Sequence, residues 1–151
     1  MLGFDLDDLE WMEISGSAEA SYPIHHHLCV LGHDRDAGTI DLLIRFDDQG
    51  GHCQAHRHLT TTSVFVVQGE QHLDDLLPDG SRRHKVRPAG GHHLTTGDPH
   101  PHLERGGPEG AVVFFSHHTD DGRLYEIVDD DLTPVAVVTL DSLVATWDAR
   151  A

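Results

Sequence analysis

Hydrophobic and polar positions alternate with a period of two through much of this chain. Ile40, Leu42, Ile44 and Phe46 alternate with Asp41, Leu43 and Arg45, the pattern of a half-buried strand. Val64-Phe-Val-Val67 predicts a short buried strand that ends at Gln68-Gly69-Glu70. Further strands are expected near His84–Arg87, Ala111–Ser116, Leu124–Val128 and Val135–Leu140. Turn-forming stretches separate them: Asp47-Asp-Gln-Gly-Gly51, Pro78-Asp-Gly80, and Gly106-Gly-Pro-Glu-Gly110, which is read as a connecting loop. Short strands at regular spacing predict an all-β sandwich or barrel. The end of the chain changes period. Leu140, Leu143, Val144 and Trp147 fall at i, i+3, i+4 and i+7, one face of an amphipathic helix over about 140–149.

Composition narrows the function classes. The 151 residues suit a single domain, with N-terminal strands within 1–37 and a core over about 38–140. The formal charge is -16, from 26 acidic and 10 basic residues. Such a surface repels phosphate backbones and anionic lipid, so neither nucleic acid nor membrane is an expected partner. The acidic start, Met1-Leu-Gly-Phe-Asp-Leu-Asp-Asp8, lacks the features of a signal peptide. Cys29 and Cys53 form no spaced metal motif. A cytoplasmic protein with free thiols is expected.

Fifteen histidines are the chemical signal. His56 and His58 sit two apart in a segment that reads as a strand, so both imidazoles point to one face and can share one metal ion. Imidazole suits iron, copper, nickel and zinc. His25-His-His27 cannot all face one site, and this run and His117-His118 are read as solvated strand ends. Thr60-Thr-Thr62-Ser63 is read as β-branched strand sequence. Glu104 shares a face with His102 if 101–105 is extended, which makes it the candidate carboxylate for catalysis, with Glu70 as the other nearby acid.

The spacing of Gly50, His56, His58 and Gly69 resembles the first motif of the cupin superfamily, and Pro88, Gly90 and His93 resemble the second. The resemblance implies a double-stranded jelly-roll barrel holding one divalent transition metal. Two departures stand out. Thr62 and Ser63 occupy the places where the first motif carries a glutamate, and Gly97 stands where the second carries an asparagine. An all-histidine site is similar to that of acetylacetone-cleaving and 2,4'-dihydroxyacetophenone dioxygenase-like cupins, and the stretch Leu124–Asp131 with the Trp147 helix resembles the end of the former. The further ligand stays open between His93, His102 and both together, which would give four histidines. His93 fits the second motif, whereas His102 sits at the place of the last metal histidine of acetylacetone-cleaving enzymes.

That resemblance implies an Fe(II) dioxygenase, with Zn, Ni, Mn or Cu as other candidate metals. The expected partners are a small diketone- or hydroxyketone-like substrate, O2, and a second copy of the chain in a homodimer. Phe65, Val67 and Phe115 are the expected pocket wall. The alternatives are a metal- or ligand-sensing module and a cupin isomerase or hydrolase.

Overall fold

The computed structural model describes residues 5–16 and 20–150; the predicted N-terminal strands fall partly on residues 1–4 and 17–19, which lie outside them. Ten strands and one helix follow in order: β1 Met12–Ser15, β2 His25–Asp34, β3 Thr39–Phe46, β4 His52–His58, β5 Thr61–Leu76, β6 Arg82–Pro88, β7 His92–Thr95, β8 His102–His118, β9 Arg123–Val128, β10 Pro134–Thr139 and α1 Leu140–Asp148. All strand pairings are antiparallel.

The pairings make the expected jelly roll. β5 and β8 are long and pair with each other along most of their length. Their outer neighbours change partway. The C-terminal half of β8 pairs with β3, and its N-terminal end pairs with β4. β5 pairs with β7 through Thr62–Phe65 and with β6 through Glu70–Leu76. One face of the barrel therefore runs β1-β2-β3-β8-β5-β7, and the other runs β10-β9-β4-β8-β5-β6.

This corrects two sequence readings. Gly69 does not end a strand, and Gly106–Gly110 is not a loop: both lie within strands that bend from one face to the other. The register slips between Val66 and Gln68 and again between Gly69 and Gln71. Gly69 and Gly110 have φ of +69° and +78°. A Cβ on Gly69 would lie 2.2 Å from the Gly110 carbonyl oxygen. A glycine inside a strand marks such a bulge or close approach as readily as a terminus.

The core follows the alternation. Ile40, Leu42, Ile44 and Phe46 are buried. Leu43, in the opposite phase, is buried as well, because the segment carrying Leu6, Leu9 and Trp11 packs against the same cluster and Trp11 lies under the Arg45 guanidinium at 4.3 Å. α1 closes this core with Leu140, Leu143, Val144 and Trp147, the four residues of the predicted stripe. Thr139 caps it: its hydroxyl accepts from the Ser142 amide, while the Ser142 hydroxyl accepts from the Thr139 amide. No helix among the described residues is long and apolar enough to cross a membrane.

The crossing glycine is testable. Gly69→Ala combines a left-handed backbone with a backbone clash and is expected to destabilise by more than about 2 kcal/mol. Gly80→Ala, with φ +85° but open space around its Cβ, should cost only about 1 kcal/mol. Urea unfolding of the two variants measures the difference; equal midpoints would mean that the crossing tolerates a side chain.

Candidate metal centre

The site is built where β4 meets the start of β8. A register shift between Cys53 and His56 breaks the alternation of β4, so Cys53 and His56 both face the barrel interior although they lie three positions apart. From His56 the period of two resumes, and His58 faces inward too. His56 pairs directly with His102, the first residue of β8. The three imidazoles are buried, and one ring nitrogen from each lies within 4.8 Å of the others. They form one of two such histidine-containing groups among the described residues.

Their hydrogen bonds decide the chemistry. His56 Nδ1 lies 2.7 Å from the Gln54 carbonyl, an acceptor, so Nδ1 carries the proton and Nε2 presents a lone pair. Asp98 lies behind the other two rings. Its Oδ2 accepts the His58 backbone N–H at 3.0 Å and is 3.5 Å from Nδ1 of both His58 and His102. A carboxylate there attracts the Nδ1 edge of both rings electrostatically, at a distance longer than an ordinary hydrogen bond. The Nε2 atoms of His56 and His58 are 3.2 Å apart. At that distance the two nitrogens either share an N–H···N hydrogen bond or flank a cation.

Burial, the largest effect on each ring, lowers the pKa of His56 and sends those of His58 and His102 well below the ordinary range, so none can hold a proton as that cation at neutral pH. A metal ion fits. Two imidazole nitrogens about 2.1 Å from one ion stand about 3.0 Å apart at right angles and about 3.4 Å apart at the tetrahedral angle. The observed spacing falls between these values.

His102 lines a small polar cavity together with His58, and His56 and His58 border a larger one of about 190 Å³. Its wall is largely apolar, with Leu28, Ile44, Phe115, Ile127, Val138 and Leu143, and Glu104 and Tyr125 contribute polar groups. Glu104 is fully buried, and Gln71 Nε2 donates to its Oε2 at 2.5 Å. Burial raises the Glu104 carboxyl to about 7, against the opposing pull of the Gln71 hydrogen bond and the Arg87 charge.

The remaining candidates separate clearly. His93 is exposed on β7 and lies outside the group of three, although it lines the same smaller polar cavity as His58, His102, Arg87 and Asp98. Glu70 is partly buried and paired with His72. Phe65 is 42% exposed and points outward, because the inward phase of β5 belongs to Val64 and Val66. Phe115 does line the cavity, and Val67 is partly buried against the core.

Two histidine runs were misread as wholly solvated. His26 is buried on the cavity wall, and so is His117 in the interior, although His118 is exposed. His117 Nδ1 lies 2.9 Å from the Thr62 hydroxyl, and its Nε2 lies 2.6 Å from the Tyr125 hydroxyl. Thr62, which stands at a glutamate place of the first motif, is thus tied to His117 and adds no anion to the site. The apolar phase of the strand sequences at 115, 117 and 24–28 was the available signal for these inward histidines. Asp98 had none, since it acts from a loop after β7.

No family model matches this chain, and no curated protein does. Solved structures do match. A candidate acetylacetone dioxygenase from Methylibium petroleiphilum PM1 superposes with a TM-score of 0.69 at 16% identity, over 99% of this chain and 95% of its own. An acetylacetone dioxygenase from Acinetobacter johnsonii also gives 0.69, at 12% identity over 100% and 92%. An RmlC-like cupin protein from Ralstonia eutropha JMP134 gives 0.66 at 20% identity over 95% and 82%. These likenesses establish the fold: the chain is a cupin barrel.

Two expectations follow. His56→Ala and His102→Ala are each expected to abolish stoichiometric metal in elemental analysis, whereas His93→Ala keeps it; Asp98→Asn should weaken binding by about 10- to 100-fold. Retention of full metal by His56→Ala would remove the basis of the site. The second concerns acid. Burial lowers His26 to about 4 from the ordinary 6.5. The unfolded chain therefore takes up this proton first, and the stability held above about pH 6.5 falls as pH drops toward 4. Replacing His26 with Gln should flatten that fall in denaturant titrations between these pH values.

Proposed function

We propose that this chain is a mononuclear non-haem Fe(II) dioxygenase that cleaves a carbon–carbon bond in a small diketone- or hydroxyketone-like substrate. The observation that carries the reading is the convergence of three neutral, buried histidines, two of them on the wall of a small apolar cavity. When bound, the metal supplies a Lewis acid for substrate oxygens and, as iron, one-electron chemistry with O2.

The residues of the chain set the rest. The ligand set His56, His58 and His102 carries no charge, so the site's positive charge is left for an anionic, chelating substrate such as the enolate of a β-diketone. The apolar wall, including Leu28, Phe115 and Ile127, excludes water and limits substrate size. Glu104 is the carboxylate on that wall and the general base of the proposal. It takes the acidic proton of the substrate, while Gln71 fixes its Oε2 and Arg87 in turn holds the Gln71 carbonyl at 3.2 Å. Asp98 keeps two of the histidines oriented and touches no substrate in this reading. The reaction type draws support from the two acetylacetone dioxygenase-like neighbours in fold.

The test is oxygen uptake. Protein loaded with Fe(II) under anaerobic conditions is mixed with acetylacetone and then exposed to air in an oxygen electrode. Stoichiometric O2 consumption with fragmentation of the diketone is expected. Glu104→Gln should retain its metal and lower turnover by at least about 100-fold. Loaded protein that neither binds the diketone nor consumes O2 would favour the metal-sensing alternative.

A further inference from the structure

A second group of metal-ligating side chains lies on the opposite side of β2 from the barrel interior, and the function above does not use it. His26 and Leu28 face inward, so His25 and His27 share the outer face. Their rings lie 5.3 Å apart, nearly perpendicular. Across the strand pair, His27 is in register with Glu13 of β1. Ligand atoms of Glu13, His25 and His27 all lie within 4.8 Å of one another, and His25 Nε2 is 3.5 Å from Glu13 Oε1. That last distance is close to the spacing of about 3.4 Å for two ligands on one tetrahedral ion.

The arrangement repeats the construction of the inner site. Each has a His-x-His pair on one strand, a third ligand directly across the ladder, and a hydrogen-bond acceptor behind one ring. Here the acceptor is Asp47, whose Oδ2 is 3.1 Å from His25 Nδ1. It places the proton on Nδ1 and turns Nε2 outward to Glu13. Asp47 is itself held by the Gln49 amide at 2.9 Å.

We propose that Glu13, His25 and His27 form a surface site for one borderline divalent ion, of the class of zinc, nickel or copper, which staples β1 to β2. Two imidazoles and a carboxylate select such ions over magnesium or calcium, which prefer all-oxygen shells. β1 is a four-residue edge strand that pairs only with β2, so an ion shared between them fixes the edge of the sheet. The site does not depend on the proposed reaction.

The experiment is a calorimetric Zn²⁺ titration of the full chain carrying His56→Ala and His58→Ala, which removes the inner site. One ion per chain should remain, with a Kd of about 1–10 µM. Adding His25→Ala and His27→Ala should abolish it, and Glu13→Gln should weaken it by about 10-fold. Zn²⁺ should also slow amide exchange over Met12–Ser15. The converse uses the native inner site, so it stands even if the first variant misfolds: His25→Ala with His27→Ala on the otherwise unchanged chain should lower zinc stoichiometry by one. Binding that survives these two substitutions, or a Kd weaker than about 100 µM, overturns the proposal.

Discussion

The site depends on a crowding of neutral imidazoles that the fold creates and that a shared metal ion fits. Three imidazoles are buried against one another, with the Gln54 carbonyl behind Nδ1 of His56, Asp98 beside the other two, and the Nε2 atoms of His56 and His58 3.2 Å apart. Burial opposes protonation of these rings. The surrounding structure is arranged around this cluster. Gln54 and Asp98 stand behind the rings, apolar residues line the cavity in front, and Thr62, where a carboxylate could have intruded, is bound to His117.

Holding that geometry requires a stiff frame, and the crossing strands provide it. β5 and β8 belong to both faces of the barrel, so the start of β8, which carries His102 and Glu104, is held by β4 on one side and by the far end of β5 on the other. The bends at Gly69 and Gly110 bring the two faces together over one core. Had these strands ended at their glycines, as the local pattern suggested, the β4–β8 ladder that pairs His102 with His56 would not be continuous with the β3–β8 ladder of the core.

What could be read in advance divides along this line. Period-two alternation exposed β3, β9 and the shared face of His56 and His58, and the helical period exposed the four-residue stripe of α1, because each is a local property of a single element. The choice between His93 and His102 was not local. It depends on the register of β4 against β8, and both histidines occupy acceptable places along the chain. His117 and His26 were misjudged because a run of adjacent histidines looks solvated, yet alternation necessarily sends some members of each run inward. Phe65 failed for the same reason in reverse: the inward phase of its strand belonged to Val64 and Val66.

The same period also explains how one chain can carry two histidine clusters of different character. A His-x-His pair with a partner across the ladder is a two-strand device, and the phase of the strand decides which side it faces. On β4 it faces the interior, where low dielectric, an apolar cavity and an acid held by Gln71 equip it for chemistry on a desolvated substrate. On β2 it faces outward, with Glu13 64% exposed and water competing for every position. An ion there could tie two strands together but has no cavity in which to hold a substrate. Burial, more than the identity of the ligands, separates the proposed catalytic site from the proposed structural one in this barrel.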